Sequence, residues 1–336
     1  AVNSGNLKAS LTPDIADVFI IAVPTPFHEG YIPNVDYIVS ATKAMAPFVK
    51  AGDIVILEST SPVGTTDLVE STLKEAKVDT SKLFIAHCPE RVLPGHIMRE
   101  LVENDRIVGG TTKEATAKTV EFYKTFVSGA VLSTDAKTAE MAKLTENSFR
   151  DVNIAFANEL SILCEKFDIN VWELISLTNR HPRVNVLQPG AGVGGHCIAV
   201  DPWFIVHAGG ADAKIIRTAR EVNNYKTEWS IEKIKNAALN FEKENGRKAK
   251  VACMGLAFKP DIDDLRESPA VYVAKTLISQ GIEVLAVEPN IESHKDFDII
   301  DFETAINGAD IIVFLVAHKE FKGIKIFGKD VIDFCG

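Results

Sequence analysis

The sequence predicts an α/β protein: two Rossmann-like doubly wound domains joined by a central long helix and a helical region. Three observations carry this. Short β-branched runs stop at Gly or Pro and give way to helical patterns; one long stretch repeats apolar residues at three and four without Gly or Pro; and a second strand-helix-strand series follows it.

The first run, Asp17-Val18-Phe19-Ile20-Ile21-Ala22-Val23, ends at Pro24-Thr25-Pro26. The pattern repeats at 53–58 before Ser59-Thr60-Ser61-Pro62, at 83–86 before His87-Cys88-Pro89, and at 106–108 before Gly109-Gly110. Continuous apolar strands of this kind are expected in a parallel sheet covered on both faces. From Asp135 to Phe167 the apolar positions Met141, Leu144, Phe149, Ile154, Phe156, Leu160 and Leu163 predict one long helix. The neighbours Met141, Leu144, Phe149 and Val152 suggest that much of its circumference is buried. The second series runs from a strand at 250–255 through a helix at 269–280 to strands at 281–287 and 310–316. The expected domains are 1–134 for a dinucleotide, 135–230 for a helical dimerisation and catalytic region, and 231–336 for a second ligand-binding Rossmann-like domain. Ligands of such sheets lie at the carboxyl ends of the strands.

A chain of 336 residues, 46% of them hydrophobic, can bury substantial cores. No apolar run approaches the ~20 residues of a membrane span. A secretory signal pattern is also missing, so a cytoplasmic location is expected. The net charge of −10 is spread along the chain, which argues against nucleic-acid or anionic-membrane partners. An anionic ligand must then be met by local basic residues. Five cysteines at irregular spacing, with no Cys-x-x-Cys pair, indicate neither a disulfide framework nor a metal site, and reduced thiols are expected.

The Gly-x-Gly-x-x-Gly match at Gly190-Ala191-Gly192-Val193-Gly194-Gly195 neither follows a strand nor opens a helix, so it fails as a dinucleotide fingerprint. The first domain starts at Ala1-Val2-Asn3 with no Met and no such fingerprint, and the chain is expected to be an N-terminally incomplete enzyme. A missing start of roughly 60 to 80 residues would hold two strands and the glycine-rich loop.

The chemistry is expected around Cys197, which follows those glycines and precedes Asp201-Pro202-Trp203. Most cysteines are inert buried hydrophobes, but a polar, glycine-framed thiol suits core packing poorly. Lys143 and Asn147 lie four apart on the long helix and Arg150 follows three later, so all three are expected on roughly one face. A solvated face is the alternative; a partly desolvated Lys would be tuned toward proton transfer. Glu90-Arg91 follows a strand in Cys88-Pro89-Glu90-Arg91-Val92-Leu93-Pro94-Gly95, as an active-site loop or a surface ion pair. Arg180-His181-Pro182-Arg183 is a compact cationic cluster suited to a diphosphate or to solvent. Thr25 and Thr60 follow strands and offer hydroxyls to a cofactor, or serve turns beside Pro24 and Pro62. Lys259 and Arg266 follow the first strand of the second domain, among four acids, with mutual neutralisation as the alternative to ligand binding.

Together and in this order these segments resemble the UDP-glucose and GDP-mannose dehydrogenase family over essentially the whole chain. The resemblance rests on Val23-Pro24-Thr25-Pro26, Ser59-Thr60-Ser61-Pro62-Val63-Gly64-Thr65-Thr66, Cys88-Pro89-Glu90-Arg91, residues 140–147, the Cys197 segment with Asp201, and residues 258–269. Within it, Asn179-Arg180-His181-Pro182-Arg183-Val184-Asn185 and Gly194-Gly195-His196-Cys197-Ile198-Ala199-Val200-Asp201 look like the branch that oxidises UDP-N-acetyl-D-mannosamine. UDP-glucose enzymes usually carry Phe-Gly-Gly-Ser-Cys followed by Pro-Lys-Asp.

The resemblance implies a four-electron oxidation at C6 of the sugar with NAD as cofactor, in polysaccharide biosynthesis. It implies Cys197 as nucleophile, with Lys143, Asn147, Asp201 and Glu90 as its catalytic partners. Arg91, Val92, Arg150, Gly194, Phe258 and Lys259 would contact the sugar nucleotide, and Thr25, Thr60 and Arg266 the NAD. It also implies a homodimer through the central helices, with His181 and Arg183 reaching the partner's ligand.

Three alternatives stay open: a UDP-glucose or UDP-N-acetylglucosamine dehydrogenase, a two-electron hydroxyacid dehydrogenase that also uses a Lys-x-x-x-Asn helix, and a non-catalytic UDP-sugar-binding remnant.

Overall fold

A computed structural model describes residues 4–92 and 97–336. Ala1 to Asn3, and Leu93 to Gly95 of the expected loop after Glu90, lie outside the described residues. The chain divides into two compact units, residues 1–146 with 203–210, and residues 147–202 with 211–336.

The first unit follows the expected strand-then-loop order. Strand β1 (Val18–Ile21) leads into a short antiparallel hairpin, β2 (Phe27–His28) and β3 (Ile32–Pro33), and helix α1 (Asp36–Met45). Then come β4 (Ile54–Leu57), α2 (Thr65–Glu75), β5 (Phe84–His87), α3 (Ile97–Glu103), β6 (Arg106–Gly110), α4 (Lys113–Tyr123) and β7 (Val131–Asp135). The sheet order is β1-β4-β5-β6-β7. Val55 and Leu57 of β4 and Ile85 of β5 pack with Ile38 of α1 and with Val69 and Leu73 of α2. Each such buried aliphatic contributes about 1.5–3 kcal/mol, far more than helix propensity does.

One expectation fails in this sheet: β6 runs antiparallel to β5, pairing Ala86 with Gly110 and His87 with Gly109. Through α3 the chain re-enters at the end where β5 finishes. An apolar strand buried on both faces reads the same in either direction, so its sequence does not reveal its sense.

The long helix α5 (Ala136–Lys166) belongs to the first unit as far as Glu146 and to the second from Asn147. The second unit continues with α6 (Val171–Thr178), the start of α7 (Asp201–Gly209), α8 (Lys214–Asn245), β8 (Lys250–Met254), α9 (Pro269–Ser279), β9 (Glu283–Val287), α10 (Phe302–Gly308), β10 (Ile311–Phe314) and β11 (Asp330–Asp333). Its sheet is parallel throughout, in the order β11-β10-β8-β9. Ile231, Ile234 and Ala238 of α8 pack with Val251 of β8 and with Val273 and Leu277 of α9. Gly246, at φ 66°, ends α8 in the left-handed region, where a residue without Cβ is cheapest.

The 230/231 position lies inside α8, and the two units divide the helical region at Glu146 and at Trp203 to Gly210. The hairpin, β7 and β11 are also additions to the expected elements. The two hairpin strands have 2 residues each, too short for a periodicity to show. Nor is α5 buried around its circumference: Met141 is 39% and Phe149 68% exposed, while Leu144 is 1% exposed.

Candidate active site

The Gly-rich segment is irregular backbone between α6 and α7, as its failed fingerprint context requires. Its glycines serve close packing. A Cβ on Gly194 would stand 2.2 Å from the Glu267 carbonyl oxygen, and one on Gly195 would stand 2.9 Å from the Phe258 ring. Thus the loop lies directly on the 256–268 loop after β8, and Gly190 is tied to α5 by its N–H donating to Asn158 Oδ1 at 2.9 Å.

Cys197 is half-buried at the start of the turn into α7, and its carbonyl accepts from the amides of Val200 (3.0 Å) and Asp201 (2.8 Å). Cys88, Cys164 and Cys253 are fully buried. Burial pushes the Cys88 thiol up to about 11 and the Cys253 thiol up to about 12, which makes them inert.

Asn147 and Asp201 meet: Asn147 Nδ2 donates to Asp201 Oδ2 at 2.5 Å, with the two residues 6% and 4% exposed. Below them Arg220 Nη1 bonds Asp151 Oδ1 at 2.7 Å, Asn223 Nδ2 bonds the same oxygen at 2.7 Å, and Asn223 Oδ1 accepts from Asn158. Lys143 is half-buried, whereas Arg150 is exposed. The expected common face therefore splits by burial.

Phe258 and Lys259 are both half-buried, with Lys259 Nζ 5.9 Å from the Phe258 ring centre. Arg266 forks onto Asp264, with Nη2 2.6 Å from Oδ2. That bond holds the guanidinium firmly charged, and the nearby Cys197 sulfur adds to the effect. The His196 imidazole is pushed down by burial and then by the charge of Arg266. Arg266, expected at the dinucleotide, is coupled by charge to the loop of His196 and Cys197, where positive charge favours an anion on sulfur.

The anchor of the 256–268 loop went unread in the sequence. Glu288 Oε2 accepts from the amides of Leu256 (2.7 Å) and Ala257 (2.9 Å) and lies 3.0 Å from His318 Nε2. Burial opposes its ionisation, but the His318 bond and the amides outweigh this and hold the carboxyl down at about 2. A Glu ending a strand in Val287-Glu288-Pro289-Asn290 was the available signal. Asp261, His318 and Glu320 have metal-like spacing, but both His318 ring nitrogens are already engaged. In the cationic cluster after α6, His181 and Arg183 are exposed, and His181 Nδ1 accepts from the Arg183 amide at 3.3 Å.

In the first unit, Thr25 Oγ1 donates to the Thr60 carbonyl at 2.6 Å, which joins the loops that follow β1 and β4. Glu140 of α5 accepts from the amides of Gly64 (2.6 Å) and Thr66 (2.7 Å), occupying the N-terminus of α2. Glu90 Oε1 accepts from the amides of Arg91 (2.6 Å) and Val92 (2.7 Å), and Arg106 reaches both Glu58 (3.2 Å) and Glu90 (3.6 Å). Glu90 therefore holds the loop on which Arg91 and Val92 sit. The Arg91 guanidinium is paired with Glu146 at 2.8 Å.

These residues fit part of a dinucleotide. The Thr25 hydroxyl has given away its proton and keeps its lone pairs for a ribose hydroxyl or a carboxamide N–H. The α2 N-terminus, the obvious place for a phosphate, is already filled by Glu140.

Three domain families match in order: the UDP-glucose/GDP-mannose dehydrogenase NAD binding domain at residues 1–127, the central domain at 137–225 and the UDP binding domain at 252–333. Similar proteins include UDP-N-acetyl-D-mannosamine dehydrogenase of Campylobacter jejuni, 54% identical over 99% of this chain and 85% of that protein. The chain belongs to the UDP-glucose/GDP-mannose dehydrogenase family.

NDP-N-acetyl-D-galactosaminuronic acid dehydrogenase of Ralstonia solanacearum is 53% identical over 96% of this chain and 78% of that protein. Among solved structures, UDP-N-acetyl-mannosamine dehydrogenase Cap5O of Staphylococcus aureus superposes with a TM-score of 0.86 at 41% identity, over 99% of this chain and 80% of that one. Membership in the dehydrogenase family makes the chain an NAD-dependent oxidoreductase of nucleotide sugars and sets aside the hydroxyacid alternative.

Proposed function

We propose that the protein oxidises the C6 alcohol of UDP-N-acetyl-D-mannosamine to the carboxylate, UDP-N-acetyl-D-mannosaminuronate. The observation that carries this is the half-buried Cys197, set on a glycine loop beside Lys259 and Arg266 and next to the buried Asn147–Asp201 pair. NAD, when bound, accepts the hydride removed from C6 in each of two oxidations. Thr25 and Thr60 would hold it, and Arg266 is assigned to it as well.

Lys143 takes the proton from the C6 hydroxyl. Cys197 Sγ then adds to the aldehyde carbon, and Lys143 returns the proton to the oxygen, which keeps the intermediate bound as a thiohemiacetal. Its oxidation, with Lys143 taking the hydroxyl proton again, would leave a thioester at Cys197. Water attacks this carbonyl, the C–S bond breaks, and the carboxylate leaves with the thiolate restored. Asn147 and Asp201 orient the oxyanion and that water. Glu90 acts by holding Arg91 and Val92, which with Arg150, Gly194, Phe258 and Lys259 contact the sugar nucleotide.

A homodimer is supported by Phe149, Phe156 and Leu163, spaced by seven on α5 and 68%, 59% and 41% exposed. Such a stripe is costly in water and needs a partner. In the dimer His181 and Arg183 would reach the partner's ligand. Phe156→Glu is expected to give monomers by light scattering; an unchanged dimer would move the interface elsewhere. Free cysteines support a cytoplasmic location, and no helix among the described residues is long and apolar enough to cross a membrane.

The relatives acting on mannosamine and galactosaminuronic nucleotides are nearly equal in identity, so the sugar is the point to test. NADH formation is compared for UDP-N-acetylmannosamine, UDP-N-acetylgalactosamine, UDP-N-acetylglucosamine and UDP-glucose. Two NADH per sugar with mannosamine preferred is expected, together with a loss of roughly 10³-fold or more in Cys197→Ala. A preference for another sugar overturns the substrate; one NADH per sugar, or an active Cys197→Ala, overturns the thioester route.

A further inference from the structure

The second unit holds a cleft of about 480 Å³ that shares no lining residue with the groups assigned above to sugar nucleotide or NAD. Its wall is aromatic, from Trp172, Trp229 and Phe334, and its most buried polar residue is Lys226. Lys226 is 2% exposed. Its Nζ donates to Ser161 Oγ at 2.8 Å and lies 3.8 Å from the centre of the Trp229 ring.

Among the described residues no carboxylate lies within ion-pair distance of this amine. The charged groups around it are accounted for. Glu165, on α5, is paired with Lys233 of α8. Asp333, at the end of β11, accepts from the amides of Cys335 and Gly336. Asp168 is exposed at the turn that follows α5. A buried ammonium with one hydrogen bond and a ring face retains donor capacity and bears a desolvation penalty that an anion would offset.

We propose that this cleft binds a small planar organic monocarboxylate, its carboxylate on Lys226 Nζ and its flat body among Trp172, Trp229 and Phe334. One negative charge matches one unpaired cation, and a dianion would meet uncompensated repulsion from the acids at the rim. A cationic ligand would find the Trp229 face already taken by Lys226.

Protonation should govern the affinity. Burial, and then the neighbouring charge of Lys233, lowers the Lys226 amine to about 7. An anion prefers the protonated amine, so binding is full below that value and fades above it, by about tenfold per pH unit until the bound amine itself titrates.

Benzoate is the probe, added to the intact protein and read by tryptophan fluorescence and by protection of Lys226 from acetic anhydride, located by mass spectrometry. Expected at pH 6.5 are saturable binding, protection of Lys226, and at least a tenfold weaker affinity in Lys226→Met and at pH 9. Ser161→Ala should bind more weakly while leaving the amine in place, which keeps the test open if Lys226→Met is poorly folded. Equal binding of neutral benzamide, tighter binding of phosphate or benzyltrimethylammonium, or no protection of Lys226 each overturns the proposal.

Discussion

Arg106 in the first unit and Arg220 in the second are 2% and 3% exposed, yet they do different work. Arg220 is locked to Asp151, itself 0% exposed, at 2.7 Å, and its Nη2 bonds Asn224 at 2.8 Å. Every partner is part of the packed α5–α8 pair. Arg106 instead makes longer contacts, at 3.2 and 3.6 Å, to Glu58 and Glu90, whose side chains are 17% and 38% exposed. Through Glu90 it reaches the amides of the loop carrying Arg91 and Val92. Equal burial thus hides two roles: one arginine holds two helices together, and the other holds the loop proposed to meet the sugar nucleotide.

The comparison breaks most visibly on stability. Arg220→Met strands the Asp151 carboxylate, which burial already pushes up and Arg220 opposes. A loss of about 3–5 kcal/mol in denaturant unfolding is expected. A loss under 1 kcal/mol would mean that water relieves Asp151 and that the contrast is false.

Arg106→Met should cost less, about 1–3 kcal/mol, because its carboxylate partners keep some solvent. Its signature is elsewhere: KM for the sugar nucleotide rises severalfold while kcat changes little, as the 90–92 loop loses its hold. Arg106→Lys should restore part of this. Unchanged KM in both variants would reduce Arg106 to architecture like Arg220.

The smallest effect concerns Glu58, whose carboxyl is raised by burial and then by Glu90. A carboxyl raised in the folded state contributes stability that is full below its unfolded value and lost as pH rises through the folded one. Glu58→Gln should therefore match wild type near pH 4 and differ from it by only about 0.5 kcal/mol at pH 7, with a flatter profile. A steeper pH dependence than wild type would show that the Arg106 attraction outweighs burial.

The strands ending in Pro24, Pro62 and Gly255, the helix 136–166 and the Cys197 loop were legible because local chemistry marks them: β-branched runs, helical spacing and glycines that no helix tolerates. Rejecting Gly190 to Gly195 as a dinucleotide fingerprint also needed only its surroundings in the chain. The sequence by itself determined the α/β class and the family.

What tertiary structure decided was everything set by distant partners. The sense of β6, the exposure of Phe149, and the capping of α2 by Glu140, 76 residues from Gly64, leave no periodicity behind. The same holds for Arg106, Arg220, Glu288 and Lys226. A charged residue reads as solvated surface until burial removes its water, and only the fold shows which partner, if any, replaces that water.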